Sequence, residues 1–399
     1  MTLDLERARR ETPGCATVLH FNNAGAALMP QPVLDALQRH LQLEATIGGY
    51  EAADREQASV EHVYDALARL LGGRREEIAV IENATRAWDM AFYSLRFGPG
   101  DRILTATAEY ASNYIAYLQV AARTGAVVEV IPDDEDGQVS VAALRRMLDA
   151  RVKLIAITHV PTNGGLVNPA AAVGRVAREA GVPYLLDACQ SVGQMPVDVA
   201  ELGCDMLSAT GRKYLRGPRA TGFLWVRRDF LEGMEPPFLD LHAATWVARD
   251  RYELRPDARR FENWETYYAG KIALGVAVDY ALAWGLPAIR ERVYGLALRL
   301  RERLAALPGV TVRDKGAERC GIVTFTAARC AAALIKQVLL AQAINVSVSS
   351  YAGTRLDMED RKLPGVVRAS VHYYNSEEEV ERFCAALEPL LRATREGGA

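Results

Sequence analysis

The chain has 399 residues, 50 % of them hydrophobic and 24 % charged, with a formal net charge of -3. That length suits one large domain with a smaller companion, and the near-balanced charge gives no electrostatic case for nucleic acid or an anionic membrane as a partner. No stretch approaches ~18 uninterrupted apolar residues, so no membrane span is expected. Met1 to Cys15 mixes both signs of charge without the apolar centre of a secretory signal. Six cysteines (Cys15, Cys189, Cys204, Cys320, Cys330 and Cys384) are scattered with no CxxC pair. That spacing predicts reduced, mostly buried thiols in a cytoplasmic protein, and neither a metal site nor a disulfide framework.

Along the chain, Ile78 to Glu82 reads as a strand and Ala84 to Phe97 as a helix ended by the Gly98-Pro99-Gly100-Asp101 turn. Asn83-Ala84-Thr85 therefore lies where a strand becomes a helix. Free N–H groups and the positive helix end suit a phosphate there, although Asn83 is equally a plain cap. Arg102 to Thr107 is a strand, Asn113 to Thr124 a helix, and Val127 to Ile131 a strand stopped by Pro132. Ser140 caps a helix running to about Ala150. Leu154 to Thr158 and Tyr184 to Asp187 are strands flanking a helix that starts near Pro169, and Asp205 to Ala209 is a further strand. This alternation predicts an α/β fold with a mostly parallel sheet wrapped by helices. In such sheets ligands gather beyond the carboxyl ends of the strands. Thr85, Tyr110, Thr158, Asp187 and Lys213 all fall at or just beyond predicted strand ends.

Beyond about Gly270 the pattern changes. Helices at Tyr267 to Trp284 and Leu286 to Leu307 precede short strands at Val310 to Val312, Ile322 to Phe325 and Val346 to Val348, and a helix at Ser376 to Arg392. The expected division is an N-terminal extension (1–20), a large domain (21–270) and a smaller α+β C-terminal domain (271–399).

Lys213 stands between small and turn-forming residues in Ser208-Ala209-Thr210-Gly211-Arg212-Lys213-Tyr214-Leu215-Arg216-Gly217-Pro218. Asp187 closes an apolar strand, and Gln190 follows three residues later. Alone, a solvated lysine and a capping aspartate are the plainer readings. As an ordered pair they offer an amine that can form an imine (a Schiff base) with an aldehyde and a carboxylate that can keep a pyridinium protonated. Those are the needs of pyridoxal 5'-phosphate.

With Asn83-Ala84-Thr85-Arg86, Glu109-Tyr110-Ala111-Ser112-Asn113, Thr158-His159-Val160-Pro161, Asp187-Ala188-Cys189-Gln190, Gly211-Arg212-Lys213 and Arg368-Ala369-Ser370-Val371-His372-Tyr373-Tyr374-Asn375 in this order, the chain resembles the class V aminotransferase and cysteine desulfurase-like family of fold type I pyridoxal phosphate enzymes. The likeness runs from about Phe21 to about Leu391 and is closest in look to C–S lyase and isopenicillin N epimerase-like members. It implies a mostly parallel seven-stranded sheet and a homodimer with shared active sites. Arg260-Phe261-Glu262 resembles the segment through which a partner subunit touches the phosphate.

The resemblance also implies roles. Ala84, Thr85, Thr210 and Arg212 hold the phosphate, Arg212 standing where many relatives have histidine. Tyr110 stacks on the ring where desulfurases carry a histidine. Asp187 faces the ring nitrogen, while Gln190 and Thr162, with Asn163 beside it, face the phenolate oxygen. His159 is either functional or structural. Lys213 carries the cofactor and serves as the base at Cα. Arg368 clamps the substrate α-carboxylate, and Asn23, Tyr50 and Arg355 are further substrate contacts. Trp246, Trp264, Tyr267 and Tyr268 read as core residues or as a pocket wall.

These residues serve elimination, transamination and racemisation alike. Ser349 to Val367 holds no cysteine, so the thiol with which desulfurases and selenocysteine lyases take up sulfur is missing. Gly48-Gly49-Tyr50-Glu51 and Gly217-Pro218-Arg219 look most like C–S lyases. The leading expectation is β-elimination on a cysteine-derived amino acid, then an aminotransferase, with an epimerase or a cysteine desulfurase behind. A DNA-binding sensor built on this fold is disfavoured, since the chain has no appended helix-turn-helix and no basic stripe.

Overall fold

In the computed structural model, which describes residues 3–393, seven strands form the central layer. They are β1 (Ile78–Ile81), β2 (Arg102–Ala106), β3 (Val127–Ile131), β4 (Val152–Thr158), β5 (Tyr184–Asp187), β6 (Met206–Thr210) and β7 (Gly222–Val226). The expected extents at residues 1–2 and 394–399 lie outside the described residues. Every residue of β1, β2, β5, β6 and β7 is buried, as a sheet covered on both faces requires. The order is β1-β7-β6-β5-β4-β2-β3. β2, β3, β4, β5 and β6 run parallel, whereas β7 lies antiparallel between β6 and β1. The predicted mostly parallel sheet is therefore present. β7 itself was not expected, because a short all-apolar run such as Gly222-Phe223-Leu224-Trp225-Val226 has no periodicity to betray it.

Two helices that lead into the site differ from expectation. The helix α1 (Ala84–Phe92) stops five residues short of Phe97. Phe97 instead folds back onto Phe92, with ring centroids 5.6 Å apart, a contact that a continuous helix would forbid at that spacing. The helix α2 (Ala111–Thr124) begins two residues before Asn113. Asn113 is buried and turns inward rather than capping.

Three helices at Gln31–Ile47, Gly49–Arg55 and Gln57–Leu71 precede the sheet, and α3 (Tyr268–Trp284) packs on the first and third of them. Leu19–His20 pairs in parallel with Ile344–Asn345, and Arg9 bonds Glu379 at 2.9 Å. The predicted strand around Val346 to Val348 resolves into that pair and Ser347–Ser350. The latter joins Val310–Val312, Ile322–Ala327 and Gly365–Ser370 in an antiparallel sheet. Among the described residues no single helix is long and apolar enough to cross a membrane. All six cysteines are free.

Ala244–Ala248 and Arg251–Leu254 form a largely exposed hairpin. It overturns the core reading of the tryptophans, since Trp246 is 79 % and Trp264 50 % exposed.

Glu262 knots the layers together. It accepts hydrogen bonds from the Val80 N–H of β1 at 2.7 Å, the Tyr64 hydroxyl at 2.9 Å and Lys271 Nζ of α3 at 3.1 Å. Burial alone would raise its carboxyl, but Lys271, His242, the Val80 amide and Arg259 outweigh it and hold the group at about 2. A depressed carboxyl contributes stability that is complete above its unfolded value near 4.5 and is lost as pH falls toward 2. Glu262→Gln should therefore be less stable than wild type at pH 7 by on the order of 3 kcal/mol. Urea unfolding should show that gap closing between about pH 4.5 and pH 2; a gap independent of pH would contradict the assignment.

Candidate active site

Parallel register brings three strand ends side by side: Thr158 pairs with Asp187, and Asp187 with Ser208 two residues before Thr210. Around them lies a cavity of about 480 Å³. Ala84 and Thr85 enter it from the start of α1, and Tyr110 from the start of α2. Thr162, Asp187 and Gln190 line its middle, while Thr210, Arg212 and Lys213 come from the end of β6 and the loop beyond. These nine expected residues are thus brought to one place.

The lysine loop is fastened from behind. Arg216 is fully buried and left-handed, with φ 61°. It donates to the Leu28 carbonyl at 2.9 Å, the Tyr373 hydroxyl at 2.6 Å and the Thr12 hydroxyl at 2.5 Å, and lies 4.5 Å from the Tyr374 ring centroid. Its partners are scattered over more than half the chain, so no local pattern announced this role. Gly193 (φ +91°) lets the loop approach: a Cβ there would meet the Tyr214 backbone at 2.4 Å.

Burial pushes the Lys213 amine below its ordinary range. Asp187 and Cys189 pull it up, and Arg212 and Arg368 push it further down. Asp187 is oriented at both oxygens, by the Cys189 N–H at 2.9 Å and Asn113 Nδ2 at 3.1 Å. Gln190 Nε2 donates to the Ala24 carbonyl at 3.0 Å, and its Oε1 is buried without a partner. Asn83 caps Arg86 at 2.9 Å as a plain cap would. Burial lowers Arg212, which donates to the Gly25 carbonyl.

Arg368 reaches the cavity through Thr162 rather than lining it. Nη1 donates to Thr162 Oγ1 at 2.5 Å and its carbonyl at 3.3 Å, and Nη2 to Asn22 Oδ1 at 3.5 Å. Nε has no partner, and among the described residues no carboxylate pairs with this guanidinium. Burial presses it down to about 10, and Arg212 adds to the pressure. Thr162 thus both lines the cavity and accepts from the arginine, and Asn163 is buried against Thr354 at 2.7 Å.

Other expected residues do not line this cavity. Asn23 is wholly buried, donating to the Ser370 carbonyl at 2.7 Å and accepting from Tyr374, so its polar atoms are committed to structure. Its neighbour Asn22 is the residue that reaches Arg368. Tyr50 lies 71 % exposed in an adjoining cleft of about 730 Å³. Arg355 is exposed and paired with Glu359 at 2.6 Å. Arg260 is buried and spends its guanidinium on the Leu231 and Met234 carbonyls of its own chain, at 3.2 and 3.1 Å. His159 is buried, with the ring pressed to about 4 by desolvation, and reads as structural. Cys189, in the cavity wall, was missed although it lies within a quoted motif.

The Arg212 guanidinium, a low amine, an oriented carboxylate and a helix start with open N–H groups suit an anionic, aldehyde-bearing, nitrogen-ring cofactor. On this sheet they define a fold type I pyridoxal phosphate enzyme. The aminotransferase class-V family model matches residues 19–383, and the chain belongs to that family. It is 29 % identical over 399 residues to a probable cysteine desulfurase of Pyrococcus abyssi, covering 98 % of each chain. Its structure is similar to the apo cysteine desulfurase of Thermococcus onnurineus NA1, with a TM-score of 0.92, 27 % identity and 98 % and 99 % of the two chains covered. It is also similar to the cystine C–S lyase C-DES in complex with its product cysteine persulfide, with a TM-score of 0.85, 25 % identity and 94 % and 99 % covered.

Gly222 opens β7 directly against the helix start, where a Cβ would meet the Asn83 carbonyl carbon at 2.6 Å and the Ala84 nitrogen at 2.7 Å. Gly222→Ala should cost about 1–3 kcal/mol by overpacking. It should also weaken pyridoxal phosphate binding by about tenfold, as about 1.4 kcal/mol of lost contact at Ala84 and Thr85 implies. Cofactor titration by absorbance checks this, and unchanged affinity would show that the helix start is not part of the site.

Proposed function

We propose that the chain cleaves the Cβ–S bond of a cysteine-derived amino acid by β-elimination, with Lys213, Asp187 and Arg368 as its principal groups. The names of its relatives, cysteine desulfurase and cystine C–S lyase, both concern sulfur leaving a cysteine-type carbon. The observation that carries elimination over desulfuration is the loop that follows Ser347–Ser350. Its Gly353 carbonyl accepts from the Ala111 N–H at 3.0 Å, and Thr354 accepts from Asn163 at 2.7 Å. The loop therefore docks at the start of α2, and it contains no thiol. Burial and Asp187 raise the Cys189 thiol well above the ordinary value, which disfavours it as a replacement, since a protonated thiol is a poor nucleophile.

Bound pyridoxal phosphate supplies the carbonyl that condenses with amines and the ring that accepts electrons released at Cα. The chain's residues do the rest. Arg368 offers an unpaired, desolvated guanidinium to the substrate carboxylate, and Thr162 and Asn22 fix its plane. Lys213, with its amine lowered by burial, can take the Cα proton. Asp187 holds the ring nitrogen's proton, Tyr110 offers its ring face, and Thr85, Thr210 and Arg212 meet the phosphate. The reaction balances as RS–CH2–CH(NH3⁺)–COO⁻ plus water giving RSH, pyruvate and ammonium.

Incubation with cystine and S-substituted cysteines, without any keto acid, tests the proposal. Pyruvate and ammonia in equal amounts support it. Alanine with sulfur transferred to an acceptor would establish the desulfurase reading that the relatives favour, and strict dependence on a keto acid would establish an aminotransferase. Arg368→Lys should lower kcat/KM about 10- to 100-fold through the lost charged hydrogen bond, read in steady-state kinetics; an unchanged value would remove Arg368 from the site.

We also infer a homodimer. Tyr50, Trp264 and Leu241 are exposed, and the larger cleft beside them shares Glu82 and Ala220 with the cofactor cavity. A second copy over that face would cover the apolar surface and complete the mouth of the site. Sedimentation should give twice the 43.7 kDa chain mass; a monomer would refute it.

A further inference from the structure

Asp187 is backed by a second carboxylate that the chemistry above does not use. Glu109 is 3 % exposed. Its Oε1 accepts from the Tyr110 N–H at 2.7 Å, Asn113 Nδ2 at 2.9 Å and the Thr158 hydroxyl at 2.5 Å, and its Oε2 from the Thr105 hydroxyl at 3.0 Å. The same Asn113 nitrogen donates to Asp187 Oδ2 at 3.1 Å. One amide group thus spans two buried carboxylates.

The titratable groups facing Glu109 are Asp187 and Tyr184 from β5 and Tyr117 from α2; β2 and β4 contribute only the two threonine hydroxyls. Among the described residues no lysine, arginine or histidine forms an ion pair with it. Burial is the largest influence on its carboxyl, and the Asp187 charge adds to it. Against the pull of its donors these raise the group to about 7. Two carboxylates sharing one donor resist carrying two charges until a cation arrives beside them. Four donors around Glu109 nonetheless match an ionised carboxylate, which only accepts.

We propose that Glu109 is a positioning residue for the cofactor ring: it releases its proton to bulk water as the ring's cationic nitrogen settles against Asp187, and once ionised it clamps Asn113 across both carboxylates. The added negative charge behind Asp187 then favours the protonated ring. This rests on the reading of the cavity as a pyridoxal phosphate site.

Infrared difference spectroscopy of the protein, stripped of cofactor and then titrated with pyridoxal phosphate, tests it. The expected result is loss of a protonated-carboxyl band that shifts when glutamate, not aspartate, carries ¹³C carboxyls. Its amplitude should fall about tenfold from pH 6 to pH 8, as a group near 7 demands. Glu109→Gln should bind the cofactor without losing that band. The labelled wild-type measurement decides the matter should that variant not fold. No band loss on binding, a band that follows aspartate, or an equal loss in Glu109→Gln would overturn the proposal while leaving the cavity reading intact. Failure to take up pyridoxal phosphate at all would overturn both.

Discussion

Arg368 carries a positive charge out of water with, among the described residues, only neutral oxygens from Thr162 and Asn22 to receive it. Holding such a group costs several kcal/mol unless a counter-charge arrives. The rest of the architecture makes that arrangement possible. The strand Gly365–Ser370 pairs on both sides, with Ile322–Ala327 and Ser347–Ser350, so the backbone beneath the arginine cannot relax toward solvent. Lys213 is held in the same way, by a loop whose fastening is the buried Arg216. The free energy that packing contributes elsewhere offsets charges left unsatisfied here.

Much of this was legible in the sequence because a parallel sheet aligns strand ends automatically. Once Thr158, Asp187 and Thr210 are assigned to strand ends, their neighbourhood follows from register, without any knowledge of side-chain packing. Asn23, Tyr50 and Arg355 fall outside that rule and do not line the cavity. Asn23 and Asn22 differ by one position, and only the bridge from Asn22 to Ser370 decides which of them turns toward Arg368. Tyr50 and Arg355 come from segments whose approach depends on helix packing and loop docking, neither of which has a local signature. The end of α1 was missed because one aromatic contact, Phe97 on Phe92, outweighed helix propensity. Trp246 was expected inside because it is large and apolar, yet a hairpin carries it outward.

The relatives and the loop chemistry point in different directions for a definite reason. Overall similarity weighs the whole sheet and its cofactor contacts, which elimination and desulfuration share. The outcome depends on one thiol, and that position contributes almost nothing to identity spread over the whole chain. Cys189, although inside the cavity, is held by the environment that orients Asp187, so its presence does not replace a reactive loop cysteine.

The antiparallel insertion of β7 has a consequence for synthesis. The cavity joins residues 83–85 to a strand that begins at Gly222, with the lysine loop between them. A growing polypeptide therefore cannot present a finished pocket until well over half of it has left the ribosome. Until then the carboxyl-terminal edge of β6 stays unpaired and open to wrong associations. Capture of the vitamin-derived ligand is thus a late event in the life of the nascent chain.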